Sequence, residues 1–122
     1  MTCLRVLVCG GRDFTDYRRF AREMREIEAE RGRFVVIIHG AAKGTDWMAH
    51  LYAGPGNPNR PLELSFPPDW ITEGRRAGPL RNQRMIDEGK PDLVIAFPGG
   101  RGTADMVRRA RKARVEVIEV SI

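Results

Sequence analysis

Leu93-Val94-Ile95-Ala96-Phe97 is an unbroken apolar run that passes directly into Pro98-Gly99-Gly100-Arg101-Gly102-Thr103-Ala104-Asp105. An apolar segment without polar alternation suits a parallel strand covered on both faces. The glycines behind it let the backbone turn sharply and approach a ligand closely. Thr103 then opens an amphipathic helical pattern and is the expected N-cap. Strand, glycine-rich turn and helix N-terminus together make an anion site, where unpaired N–H groups and the helix dipole favour negative charge. Pro98, Gly99, Gly100, Arg101, Gly102 and Thr103 are therefore read as the floor of a phosphate-binding pocket.

The same grammar recurs upstream. Leu4 to Cys9 is a first strand, and Gly10-Gly11-Arg12-Asp13-Phe14 is a tight turn. Thr15 is the expected cap of a helix that turns Tyr17, Phe20, Ala21, Met24 and Ile27 inward and ends at Gly32. Phe34 to Ile38 is a second buried strand, followed by the small-residue turn His39-Gly40-Ala41-Ala42-Lys43-Gly44-Thr45-Asp46. Thr45 is expected to cap a helix with Trp47, Met48, Leu51 and Tyr52 inward. Residues 54–61, rich in Gly, Pro and Asn, form a surface loop. Leu62 to Phe66 is a third strand. Pro79 suits the first position of the next helix, which carries Leu80, Met85 and Ile86 and stops at Gly89. Val115 to Val120, with Glu116 and Glu119, reads as a fifth strand at an edge.

Strands alternating with helices predict an α/β domain, a parallel sheet with helices on both faces. Five strands in the order 3-2-1-4-5 place strands 1 and 4 side by side at the topological switch point, where ligands of such sheets bind. The glycine turns after strands 1 and 4 then face one another, with the turn after strand 2 beside them. With 122 residues, 42% of them hydrophobic, one domain over 1–122 has enough material for a real core. Lys and Arg total 21 against 16 Asp and Glu, a net charge of +5, which fits a pocket for small anions or a general attraction to nucleic acid. The longest apolar run is only five residues, Phe34 to Ile38, far short of a membrane span. The chain leads straight into a strand, so a cytoplasmic protein is expected.

Individual residues carry competing readings. Gly10-Gly11 lacks the spacing of a dinucleotide fingerprint. Arg12 could clamp a phosphate and Asp13 could accept from a ribose hydroxyl; alternatively the glycines only make the turn while Arg12 and Asp13 pair locally. Lys43 is a phosphate ligand or a solvated loop lysine, and Asp46 a site residue or a complement to the helix dipole. Trp70 is a stacking ring or part of the core. Arg75, Arg76, Arg81 and Arg84 cluster around Gly78-Pro79, as a guanidinium-bearing face or a solvated one. Cys3 and Cys9 sit roughly 20 Å apart along one strand, beyond disulfide reach, and are read as small core residues. His39 and His50 have no partners at ligand spacing, so no metal and no cofactor are expected.

Taken in order, Gly10-Gly11-Arg12-Asp13-Phe14, His39 to Asp46, Pro68-Asp69-Trp70, Ala77-Gly78-Pro79-Leu80-Arg81-Asn82-Gln83-Arg84-Met85 and Pro98 to Asp105 resemble the YspA-like, cpYpsA-related branch of the SLOG superfamily. The resemblance runs from Arg5 to about Val120. It implies a Rossmann-like three-layer α/β/α fold related to the LOG phosphoribohydrolases and the DNA-processing protein DprA. It also implies a nucleotide-like ligand, and it adds Gly40 and Asn82 to the residues expected to bind it. Self-association as a homodimer is expected by analogy.

LOG enzymes carry an Arg-Lys-x-x-Met motif and a Pro-Gly-Gly-x-Gly-Thr-x-x-Glu motif. Arg81-Asn82-Gln83-Arg84-Met85 is similar to the first, so the resemblance gives Arg81 the place of the catalytic arginine. Pro98 to Met106 is similar to the second, with Met106 where the glutamate stands. Methionine cannot transfer a proton. Asp105 is adjacent, but one helical step rotates a side chain by about 100°. Binding, or sensing, of a nucleotide-derived phosphate ligand is therefore the leading expectation. LOG-like N-glycosidic hydrolysis, with Arg81 and Asp105 as catalytic residues, is one alternative, and DprA-like single-strand nucleic-acid binding is another.

Overall fold

Val6, Leu7 and Val8 have no exposed surface because their strand lies at the centre of a sheet covered on both sides. A computed structural model describes residues 2–122. In chain order its strands are β1 (Cys3–Cys9), β2 (Arg33–His39), β3 (Leu62–Ser65), β4 (Leu93–Ala96) and β5 (Glu116–Glu119). All pair in parallel in the order β3-β2-β1-β4-β5. The chain is a Rossmann-like α/β/α arrangement with the expected strand order.

Helices α1 (Tyr17–Arg31) and α2 (Thr45–Ala53) cover one face, where Phe20, Met24, Met48 and Tyr52 pack on Val6, Val8, Ile37 and Ile95. Two helices of the second half, α4 (Ala77–Asp87) and α5 (Arg101–Lys112), cover the other. There Met85, Ile86, Met106, Val107 and Ala110 pack on Leu7, Val36, Ile38 and Val94. Apolar area removed from water on both faces, at roughly 25 cal/mol per Å², is the main driving force for this arrangement.

Several local expectations are corrected. Asp16, not Thr15, caps α1, its carboxylate accepting from the Arg19 N–H at 3.1 Å. The N-caps of α2 and α5 are Gly44 and Gly100, and Thr45 and Thr103 lie inside the first turn. Pro79 is the third residue of α4, which is preceded by a short helix α3 (Trp70–Glu73) and a 3-10 turn over Gly74–Arg76. Tyr17, Trp47 and Leu51 are exposed, so α2 buries only its Met48, Ala49 and Tyr52 side. Cys3 is exposed, and only Cys9 belongs to the core. Among the described residues no helix is long and apolar enough to cross a membrane.

Candidate functional site

The three small-residue turns meet because β1, β2 and β4 are neighbours and all end at the same edge of the sheet. Gly11 ties them together. Its N–H donates to the Pro98 carbonyl at 2.8 Å, while its own carbonyl accepts from the Thr45 N–H at 3.2 Å and the Thr45 hydroxyl at 3.0 Å. Thr45 thus links the first turn to α2 rather than capping a helix. A Cβ on Gly11 would stand 2.9 Å from the Pro98 oxygen and 3.1 Å from Gly99 Cα, so glycine is needed for this close approach. Because the Gly11 N–H is committed to Pro98, it is not free for a ligand.

Between the turns lies a cavity of about 730 Å³. Gly10, Gly11, Arg12 and Asp13 line one side, Gly40 and Asp46 a second, and Arg81 and Asn82 a third. Pro98, Gly99, Gly100, Gly102 and Thr103 form its floor. No side chain caps α5, whose first-turn N–H groups therefore remain open for an anion. Phe14, Trp70, Met85 and Met106 supply apolar wall. Phe14 is backed by Phe97, with ring centroids 5.5 Å apart. Trp70 opens α3 and is half exposed, its indole lying near Gly78. The cavity thus has a polar, glycine-lined end and aromatic side walls.

Three expected residues sit elsewhere. Lys43 is exposed and does not line the cavity. Arg101 and Asp105 line an adjoining space of about 490 Å³ that shares Arg81 and Asn82 with the first. Asp105 is 9% exposed and held by its neighbours. It accepts from Asn82 at 3.0 Å, from Arg109 at 2.8 Å and from Arg108. Burial works to raise its pKa, but the hydrogen bonds from Arg109 and Asn82 and both guanidinium charges outweigh it and lower the carboxyl below its ordinary value. The residue one position on, Met106, is the one that reaches the main cavity.

The carboxylates that line the main cavity are Asp13 and Asp46. Asp46 is buried and accepts from the Ala42 N–H at 3.1 Å, and burial pushes its pKa up. Arg81 donates to the Gly40 carbonyl, to Phe66 at 3.4 Å and to Asn82 at 3.0 Å. Burial lowers the pKa of its guanidinium, against the pull of Asp46.

Residues 4–72 match the family described as YspA, cpYpsA-related SLOG. The chain belongs to that family. Its matched part carries the first two turns and Trp70 of the cavity. Gene 61 protein of Mycobacterium phage D29 is similar along nearly the whole SLOG chain, 37% identical over 120 residues and covering 93% of this chain and 94% of its own length. Among solved structures, the UDP-GlcNAc 2-epimerase of Methanocaldococcus jannaschii, crystallised with UDP-GlcNAc and UDP, superposes with a TM-score of 0.53 at 18% identity. That superposition covers 98% of this chain but 32% of the epimerase, and it bears on the fold alone. SLOG membership supports a general nucleotide- or phosphate-binding role.

One cluster was not legible beforehand. His39 Nε2 lies 2.5 Å from Glu63 Oε2, and His50 Nδ1 lies 2.6 Å from the same oxygen. Parallel pairing sets Ile37 opposite Glu63 and His39 opposite Ser65, which puts His39 and Glu63 diagonally on one sheet face. α2 then lays His50 over them. No sequence spacing signals this, because the contact depends on the β2–β3 register.

Proposed function

We propose that this SLOG protein binds a nucleotide or nucleotide-derived phosphate ligand in the cavity above β1, β2 and β4. The observation that carries the reading is the pairing, in one cavity, of the uncapped N-terminus of α5 with the aromatic walls Phe14 and Trp70. The phosphate sits against the open N–H groups at Gly102 and Thr103, where the dipole favours negative charge. Arg12 closes over it from the first turn. The base stacks against Trp70, whose exposed indole face is otherwise unused.

The hydrolase alternative finds less support. Asp105 is tied to Asn82, Arg108 and Arg109. Met106, which faces the cavity, carries no proton to give. The nucleic-acid alternative would need a row of stacking rings along a basic groove, whereas Phe14 and Trp70 flank a single cavity.

The experiment is a thermal-shift screen of mononucleotides, dinucleotides, ADP-ribose, cyclic nucleotides and short single-stranded oligonucleotides, repeated with Arg12→Ala and Trp70→Ala. A selective rise in melting temperature, lost in both variants, is expected. Absence of any shift from folded protein overturns the small-molecule reading. Affinity that grows with oligonucleotide length and falls steeply with salt would replace it with nucleic-acid binding.

A further inference from the structure

We propose that His39, His50 and Glu63 form a binding site for a divalent transition-metal ion, and that filling it turns over the Gly40–Ala41 peptide beside the main cavity. The three donor atoms, His39 Nε2, His50 Nδ1 and a Glu63 carboxylate oxygen, all lie within 4.8 Å of one another. Two imidazole nitrogens and one carboxylate oxygen suit Zn²⁺, Co²⁺ or Ni²⁺ rather than Ca²⁺ or Mg²⁺, which prefer oxygen throughout. Donors around a tetrahedral ion at about 2.0–2.1 Å stand roughly 3.3 Å apart, so the contacts of 2.5 and 2.6 Å to Glu63 need open by less than an ångström. Beside the cluster is a cavity of about 310 Å³, also lined by Trp47 and Ser65, which leaves room for a further ligand on the ion. His39 is buried, and His50 and Glu63 are partly buried, so the site combines a fixed ligand with an open side.

The hydrogen bonds around His39 say how the ion must enter. The Ala41 N–H donates to His39 Nδ1 at 3.0 Å, so Nδ1 bears a lone pair and the ring proton is on Nε2, pointing at Glu63. An ion bound at Nε2 needs the opposite tautomer, with the proton moved to Nδ1. That would set Nδ1–H against the Ala41 N–H, two donors facing each other. Turning the Gly40–Ala41 peptide by half a revolution removes the conflict, because the Gly40 carbonyl then accepts from Nδ1–H. A backbone carbonyl on the far nitrogen is the usual support of a ligating histidine.

The backbone favours this turn. Ala41 has φ 60°, an unfavourable value for a residue with a Cβ, and the turn takes it to about −120°, a φ open to any residue. Gly40 absorbs the matching change in ψ without a Cβ clash. The Gly40 carbonyl now accepts from Arg81. Its departure leaves that guanidinium, which lines the main cavity, only its bonds to Asn82 and Phe66, so one peptide unit connects the two sites.

The test is Co²⁺ titration of the protein in a Cys3→Ser background, which removes the exposed thiol as a competing ligand, followed by visible d–d absorption and competed with Zn²⁺. One equivalent is expected. Removing even a supporting partner of a metal ligand costs about 10- to 100-fold in affinity, so losing a ligand outright in His50→Ala or Glu63→Gln should cost no less. Circular dichroism confirms that both variants fold. A second readout needs no variant: ¹⁵N spectra of the histidine rings and of the Ala41 amide, with and without Zn²⁺. His39 should change from the Nε2–H to the Nδ1–H tautomer, and the Ala41 amide resonance should move with it. No d–d band, or a band that survives in both folded variants, overturns the site. A His39 ring that stays Nε2–H under saturating Zn²⁺ overturns it equally, since that nitrogen cannot then be a ligand.

Discussion

The Gly11 N–H donates to the Pro98 carbonyl at 2.8 Å and joins two turns that lie far apart in the chain. This bond closes the switch point between β1 and β4, and it explains why Gly11 shapes the cavity rather than offering its own N–H to a ligand.

Gly11→Ala places a Cβ 2.9 Å from the Pro98 oxygen and 3.1 Å from Gly99 Cα, both backbone atoms. Forcing these turns apart is expected to lower stability by about 1–3 kcal/mol. Urea denaturation measures the loss, and nucleotide-induced thermal shift should vanish with it even where the variant remains folded.

Asp105→Asn removes the charge held by Arg109, Arg108 and Asn82. Arg108 is well hydrated, so the expected cost at neutral pH is about 1–2 kcal/mol rather than that of a fully buried pair. The folded carboxyl has a lowered pKa, so its stabilisation is present above the unfolded value of about 3.9 and is lost as pH falls through the folded value. The gap between wild type and variant should therefore narrow in acid below about pH 4, as denaturation at pH 7 and pH 3 would show. Nucleotide binding should be unchanged.

Trp70→Ala removes a half-exposed indole at the cavity wall. Base–aromatic stacking is worth about 1–3 kcal/mol, so affinity for the nucleotide found in the screen should fall about 5- to 150-fold by calorimetry. Binding of inorganic phosphate should not change, and stability should stay within about 0.5 kcal/mol.

The two cysteines should react differently. Cys3 is exposed, whereas Cys9 is 8% exposed and burial, with lesser effects from Asp46 and Glu119, pushes its thiol up to about 12. A thiol reagent should label Cys3 alone in native protein and both in denaturant. Equal labelling of both in native protein would contradict the packing of β1.

Much of this architecture was legible in local sequence. Short apolar runs such as Val6 to Cys9 and Leu93 to Phe97 have to be covered on both faces, and the glycine turns behind them mark the ends of the strands that border the cavity. Alternation of strand and helix with such runs leaves few topologies, and β3-β2-β1-β4-β5 was among them. Helix starts were less legible, because Thr15, Thr45 and Thr103 are all good caps by type while Asp16, Gly44 and Gly100 hold the position. Capping depends on backbone angles that residue type only biases. Tertiary structure alone decided that Met106 rather than Asp105 faces the cavity, because the rotation of α5 is set by packing Met106, Val107 and Ala110 on the sheet. It alone brought His39, His50 and Glu63 together, since parallel register and the placement of α2 are properties of the assembled sheet and no local spacing encodes them.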